Sequence, residues 1–267
     1  MVLLTPFDLT ITASLVLLMA LLSWKMKIDL QKQLLIAATR TVIQLLMLGF
    51  VLKILFDISN PLLIALMSLI MLLAGGREVF ARQTRRFKGI WGVGIGTTSM
   101  FISSFTVTIF TLIVVINKHP WYEPQYSIPL LGMILGNTMN GISIGMDRLT
   151  QTAWEQRETI EQRLLMGFSK RIAIAPIRKQ SARSGLIPII NSMSTAGIVS
   201  LPGMMTGQIL AGSPPFEAVK YQILIMFLIA SGTGFGIIAA LWITSNRLFD
   251  KRDRLRLDRL TTTQASL

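Results

Sequence analysis

The chain has 267 residues, 52% of them hydrophobic and 15% charged, with a mean hydropathy of +0.59. Charged and apolar residues fall in separate blocks, which excludes an ordinary soluble domain, and the lack of cysteine excludes disulfides, thiolate metal sites and thiol chemistry. The net charge of +13 collects between the apolar blocks, so it points to a membrane surface and not to nucleic acid.

A hydrocarbon core roughly 30 Å thick needs about 20 apolar residues per helix. The first such block runs from Pro6 to Trp24. No basic residue precedes it and no small-residue cleavage site follows, so an uncleaved helix is expected. The second, Ala37 to Phe56, carries Arg40 and Gln44 one helical turn apart on a shared face. The third starts at Pro61, a favourable first-turn residue, and fades near Gly75-Gly76. The fourth is Ile90 to Ile116 and the fifth Ile128 to Met146. The sixth, Gly185 to Ala211, is long enough to need a kink, a break or a re-entrant path, and the seventh is Val219 to Thr244. The short alternating strands of a barrel are missing. The expected fold is therefore all-α, a polytopic integral membrane protein of about seven transmembrane helices.

Basic residues predict its orientation. All of the 26 lysines and arginines except Lys53, Lys118 and Lys220 fall in loops that a seven-span chain puts on one side. The N-terminus is then outside and the C-terminus cytoplasmic. Residues 1–267 form a single transmembrane domain in this reading, with 147–184 a cytoplasmic loop and 246–267 a basic cytoplasmic tail. The alternating Arg and Asp of the tail read as a solvated helix, and Thr261 to Leu267 as disordered. A bacterial inner membrane is the expected location.

Several chemistries are disfavoured. No phosphate-cradling G-x-x-x-x-G-K-[ST] run occurs, so the chain has no ATPase loop of its own. Apart from Asp8 in the first turn of the first block, no Asp or Glu lies inside a span, which removes a proton-relay carboxylate from the spans' interior, and a single histidine cannot build a catalytic pair. No catalytic residue, cofactor or metal ligand is assigned. Close helix contacts are signalled by Gly132-x-x-x-Gly136, Gly141-x-x-x-Gly145 and Gly203-x-x-x-Gly207, and by Gly92-Val-Gly-Ile-Gly96 and Gly232-Thr-Gly-Phe-Gly236.

Two stretches carry the functional signal. Trp154 to Arg163 is a charged helix, followed by a glycine at 167 and the basic segment Arg178 to Arg183; it has the form of a handle outside the bilayer. Beyond it, Pro202-Gly203 interrupts the sixth span, with the helix opening near Leu201. Unwound backbone at membrane depth survives only when buried in protein or lining a cavity, and broken helices often hold a transporter's cargo. Ser200, Pro202, Gly203, Met204, Met205 and Thr206, with Asn137 on the fifth span, are the transport-path candidates.

Glu161 to Gly167, the basic stretch after it and Ile187-Pro188 resemble the coupling loop of ABC-transporter permeases. Arg40-Thr-Val-Ile-Gln-Leu45, Pro129 to Asn137, Ser200 to Gly207 and Lys220-Tyr-Gln-Ile223 make the chain similar to the FetB-like permeases, a family tied to iron export with plant relatives linked to aluminium tolerance. The resemblance implies a permease homodimer bound to separate ABC ATPase subunits, with Glu161, Leu165, Gly167 and Phe168 at the ATPase contact. Iron or another metal ion is the implied cargo. An organic solute such as a sugar nucleotide, and a membrane binding or signalling subunit without transport, stay open as alternatives.

Overall fold

The computed structural model describes residues 5–58 and 60–262. The chain divides into two compact units, one ending at Asn60 and one beginning at Pro61.

The first unit is a pair of helices. Helix α1 spans Pro6–Lys25 and α2 spans Gln31–Ile58. Thr5 caps α1: its backbone N–H donates to Asp8 Oδ2 at 2.8 Å and its hydroxyl accepts from the Asp8 amide at 3.4 Å, a reciprocal box that sets the helix start. Few side chains of either helix are buried within the protein. Arg40 and Gln44 are exposed on α2.

The second unit is a bundle. Helix α3 spans Pro61–Ala81; α4 is Trp91–Met100 and runs through a π turn at Phe101–Phe105 into α5, Thr106–Phe110, and a second π turn at Thr111–Ile116. Helix α6 spans Pro124–Glu155, α7 Arg157–Leu165, α8 Lys170–Ala173, α9 Ala175–Thr195, α10 Gly203–Leu210 and α11 Pro215–Arg247. Five rods among the described residues are long and apolar enough to cross a membrane: α1, α2, α3, the α4–α5 rod Trp91–Ile116, and α11. The expected fifth and sixth spans fall on α6 and on α9 with α10, which carry more polar residues. The sixth is two helices joined by residues 196–202.

The core lies where α6, α9 and α11 meet. Ile142, Met146 and Leu149 of α6 and Ile237, Ala240 and Leu241 of α11 are buried there. The closest approach is between glycines. A Cβ on Gly185 would lie 2.7 Å from the Gly141 carbonyl oxygen, and one on Gly141 would lie 2.7 Å from Ile237 Cδ1. Gly145 faces the Ser181 carbonyl across the same seam. Thus Gly141-x-x-x-Gly145 packs within the chain, whereas Gly136, Gly203 and Gly207 face open space.

Two expectations need correction here. Helix α3 does not fade at Gly75-Gly76: those glycines admit the side chains of Met100 and Thr97 from α4, so their function is contact and not termination. The tail is not a solvated helix. After Leu248 and Phe249, both buried, Asp250 accepts from the Arg252 and Arg254 amides at 2.8 and 2.9 Å and forms a tight turn. Strand β2, Leu260–Thr262, then pairs antiparallel with β1, Arg85–Phe87. Leu255, Leu257 and Leu260 pack on the core, which a fully solvated helix would waste. Thr261 and Thr262 therefore belong to a strand, and the rest of the expected disordered end lies outside the described residues.

Replacing Gly185 with valine should overpack the seam and cost about 1–3 kcal/mol. Gly136→Ala, which meets open space, should keep or slightly raise stability. Thermal unfolding of the two purified variants in detergent compares them directly; equal midpoints would remove the seam from its organising position.

Candidate functional site: an elbow and a charge-free cavity

Helix α6 is 32 residues long, about 48 Å at 1.5 Å per residue, so it outruns a bilayer's hydrocarbon core. Its last turns carry the elbow. Arg85 stacks 4.1 Å above the Trp154 ring and steadies that end. The helix stops at Gln156, and α7 turns away with Ile160 buried beneath it. Helix α7 closes in a Schellman turn: the Gly167 amide donates to the Leu164 carbonyl at 3.0 Å and the Phe168 amide to that of Arg163 at 3.1 Å. Gly167 has φ +89°, a left-handed conformation that favours glycine, so the sequence dictates the turn. Arg163 Nη1 donates to the Ala173 carbonyl and ties α7 to α8.

The turn presents Leu165, Met166 and Phe168 at 87%, 67% and 47% exposure. Glu161 is exposed one turn earlier on α7. The four residues expected at a partner contact are therefore brought to one tip, and Met166 joins them. The tail braces this tip. Lys170 Nζ meets Asp253 Oδ1 at 2.8 Å, and the Lys170 amide donates to the same carboxylate at 3.4 Å. The ammonium holds the Asp253 carboxyl below its ordinary value. Spacing alone could not reveal a partner 83 residues away.

The break in the sixth span sits elsewhere than expected. Helix α9 ends at Thr195, where Gly197 adopts φ +82° and the Thr195 carbonyl accepts from the amides of Ile198, Val199 and Ser200. The Gly197 amide donates to the Ser200 carbonyl at 2.9 Å. The helix thus opens before Leu201, and Pro202 caps the start of α10 with ψ 140°. A proline just ahead of a helix loses no intrahelical donor, which removes the clash expected of it.

Near the end of the bundle opposite the elbow, beside the break, a cavity of about 360 Å³ lies between the second π turn, α6, α10 and α11. Met133 and Met204, Gln125 and Gln208, and Tyr126 and Tyr221 line it. None of its walls carries a charge. The side-chain amide oxygen of Gln208, Oε1, is buried without a hydrogen-bond partner. Of the transport-path candidates only Met204 lines this space. Asn137 is exposed and donates to its own helix at the Met133 carbonyl, 2.8 Å away. Ser200 is exposed in the loop, Met205 is buried, and the Thr206 hydroxyl turns back to the Pro202 carbonyl. Gly203 meets open space. Among the described residues, no three His, Asp or Glu side chains converge as a metal site.

Helical rods with bare apolar surfaces, a basic elbow and an internal cavity define a multi-pass membrane protein. Residues 6–249 match the family described as "Uncharacterised protein family (UPF0014)", and the chain belongs to it. It is 38% identical to "UPF0014 membrane protein slr1647" of Synechocystis, over 88% of this chain and 90% of that one. It is 32% identical to the Escherichia coli protein named "Probable iron export permease protein FetB", over 96% of each chain. It is 30% identical to "Protein ALUMINUM SENSITIVE 3" of Arabidopsis thaliana, over 90% of this chain and 86% of that one. No solved structure matches the chain.

Asp253 is depressed in the folded state, so its contribution is complete above the ordinary carboxylate value of 3.8 and is lost as pH falls through its lowered pKa. At neutral pH, Asp253→Asn should do what acid does and loosen the tail. Limited trypsin digestion should then cut faster at Arg252 and Arg254, with Lys170→Gln matching it. Unchanged cleavage in both variants would show that the ion pair does not brace the elbow.

Proposed function

We propose that the chain is the permease subunit of an ABC transporter, acting as a homodimer and driven by a separate ATPase subunit that binds ATP and magnesium. The observation that carries this reading is the exposed apolar tip Leu165, Met166 and Phe168, held on a rigid turn between the two long helices α6 and α9. An apolar knob on a solvated elbow is costly to leave uncovered, and buried aromatic anchors dominate interface energies. Seven crossings, with α6 and the α9–α10 pair as fifth and sixth, put residues 147–184 and the tail in the cytoplasm, where an ATPase subunit is found.

In this mechanism, closure of the ATPase subunits displaces the tip. The Schellman turn and the Arg163–Ala173 bond move α7 and α8 together. Helices α6 and α9 tilt as levers, and the cavity between α6, α10 and α11 changes its access. Iron is the favoured cargo because one relative's name specifies iron export. The uncharged cavity favours a second reading, a neutral organic solute, since hard cations prefer carboxylate oxygen. The chain itself is a transporter subunit in either case, and not an enzyme.

Phe168→Ala, and separately Leu165→Ala, should lower permease-stimulated ATP hydrolysis by the reconstituted complex at least about tenfold at subsaturating ATPase subunit. Insertion and thermal stability should be kept. Full stimulation in both variants would disprove the tip as the docking contact. The topology has its own check: a cysteine at Glu123 should react with an impermeant maleimide in intact cells, while one at Gln156 should react only after lysis. The reverse labelling pattern would invert the orientation.

A further inference from the structure

A second cavity, about 600 Å³, lies at the basic end between α8, α9 and α11. Its walls have two chemistries. Arg171, Arg178 and Lys179 supply three cations; Ala182, Leu241 and Trp242 supply an apolar wall. No acidic residue lines the cavity, and among the described residues none of the three cations makes an ion pair. Cations this close repel one another unless an anion joins them. On α11 the apolar wall continues along one stripe, with Phe235, Ile238 and Trp242 exposed at 61%, 61% and 56%.

The geometry points to a binding site for one anionic phospholipid, its phosphate among Arg171, Arg178 and Lys179 and an acyl chain along Ile238 and Trp242. Basic pockets between membrane helices recognise such headgroups, and tryptophan favours the headgroup level. A free phosphate would satisfy the cations and leave the apolar wall bare. A second copy of the chain would bring a matching basic cluster and add repulsion. Arg171 lies three residues after Phe168, so the bound lipid bridges the elbow to α11. Its influence on ATPase coupling rests on the permease reading above; its binding does not.

The test uses the full chain, without an ATPase subunit, in phosphatidylcholine vesicles that also carry phosphatidylglycerol brominated on its acyl chains. Bromine quenches nearby tryptophan. The difference in quenching between the natural chain and Trp242→Phe isolates the signal of Trp242. That signal should be quenched several-fold more by brominated phosphatidylglycerol than by brominated phosphatidylcholine. The triple variant Arg171→Gln, Arg178→Gln, Lys179→Gln should abolish the preference. Lys251→Gln with Arg252→Gln, which removes two charges from the tail, should keep it. Should the triple variant fail to fold, native mass spectrometry of the natural chain still decides, because retained phosphatidylglycerol should exceed retained phosphatidylcholine. Equal quenching by the two lipids, a preference that survives the triple variant, or displacement of the lipid by inorganic phosphate would each overturn the site. So would a disulfide between copies through Trp242→Cys, which would assign the cavity to a chain–chain interface. Failure of the natural chain to dock an ATPase subunit, with lipid preference intact, would count against the permease reading alone.

Discussion

The backbone contact between Gly141 and Gly185 fixes where α9 crosses α6, and the rest of the larger unit is arranged around that crossing. In a bilayer, apolar side chains gain nothing by leaving lipid for one another, so helices associate through close packing. Two glycines let the backbones meet, and Ile237 of α11 fills the angle beside them. With α6 and α9 pinned there, the continuation of each helix past the seam is fixed in direction. Those continuations carry the elbow.

The elbow is thus the closed end of a hairpin whose arms are joined at the glycine seam. Its own hydrogen bonds make it stiff: the Schellman turn satisfies the last carbonyls of α7, and Arg163 satisfies one in α8. The tail adds Asp253 from the far end of the sequence. Past the seam, residues 196–202 separate α9 from α10, and both helices pack on α11.

The helical class, the elbow and the α6 half of the glycine seam could be read from the sequence because each follows from local rules: apolar block length, a charged helix ending at a glycine, and small residues four apart. Gly185, the α9 half, lies outside the paired glycines, and Gly203-x-x-x-Gly207 faces open space. The failures also have physical causes. Gly75-Gly76 looked like a helix end because glycine has low helix propensity, yet the side chains of Met100 and Thr97 need the space. Pro202 seemed to break a helix, but Gly197 had already ended it. The tail's Arg and Asp suggested a solvated helix, although Leu255 and Leu257 alternate as a half-buried strand does. The cavity drew Met204 from the candidate stretch, but Gln208, Tyr126 and Tyr221 lie on three different helices and share no local pattern. Asn137 carried the right chemistry, but its amide is spent on its own helix.

The cavity's neutrality constrains how any cargo is held. Amides, phenols and thioethers present partial charges, so a cation would keep much of its own hydration there and bind weakly. Among the described lining residues, the side-chain Oε1 of Gln208 stands out because the protein leaves it buried and unpaired, a state that costs about 1–3 kcal/mol. A donor on the guest, or a water it carries, recovers that cost on entry and surrenders it on departure. The gain is small enough for release and specific enough to favour a guest with a hydrogen-bond donor at that point. A carboxylate in the same position would bind a metal ion far more tightly and would have to be neutralised before the ion could leave. The residues that line this cavity include no Asp or Glu that could supply such a proton. Weak, neutral coordination therefore fits the proposed mechanism, in which displacement of the elbow, and not a titration, would empty the cavity.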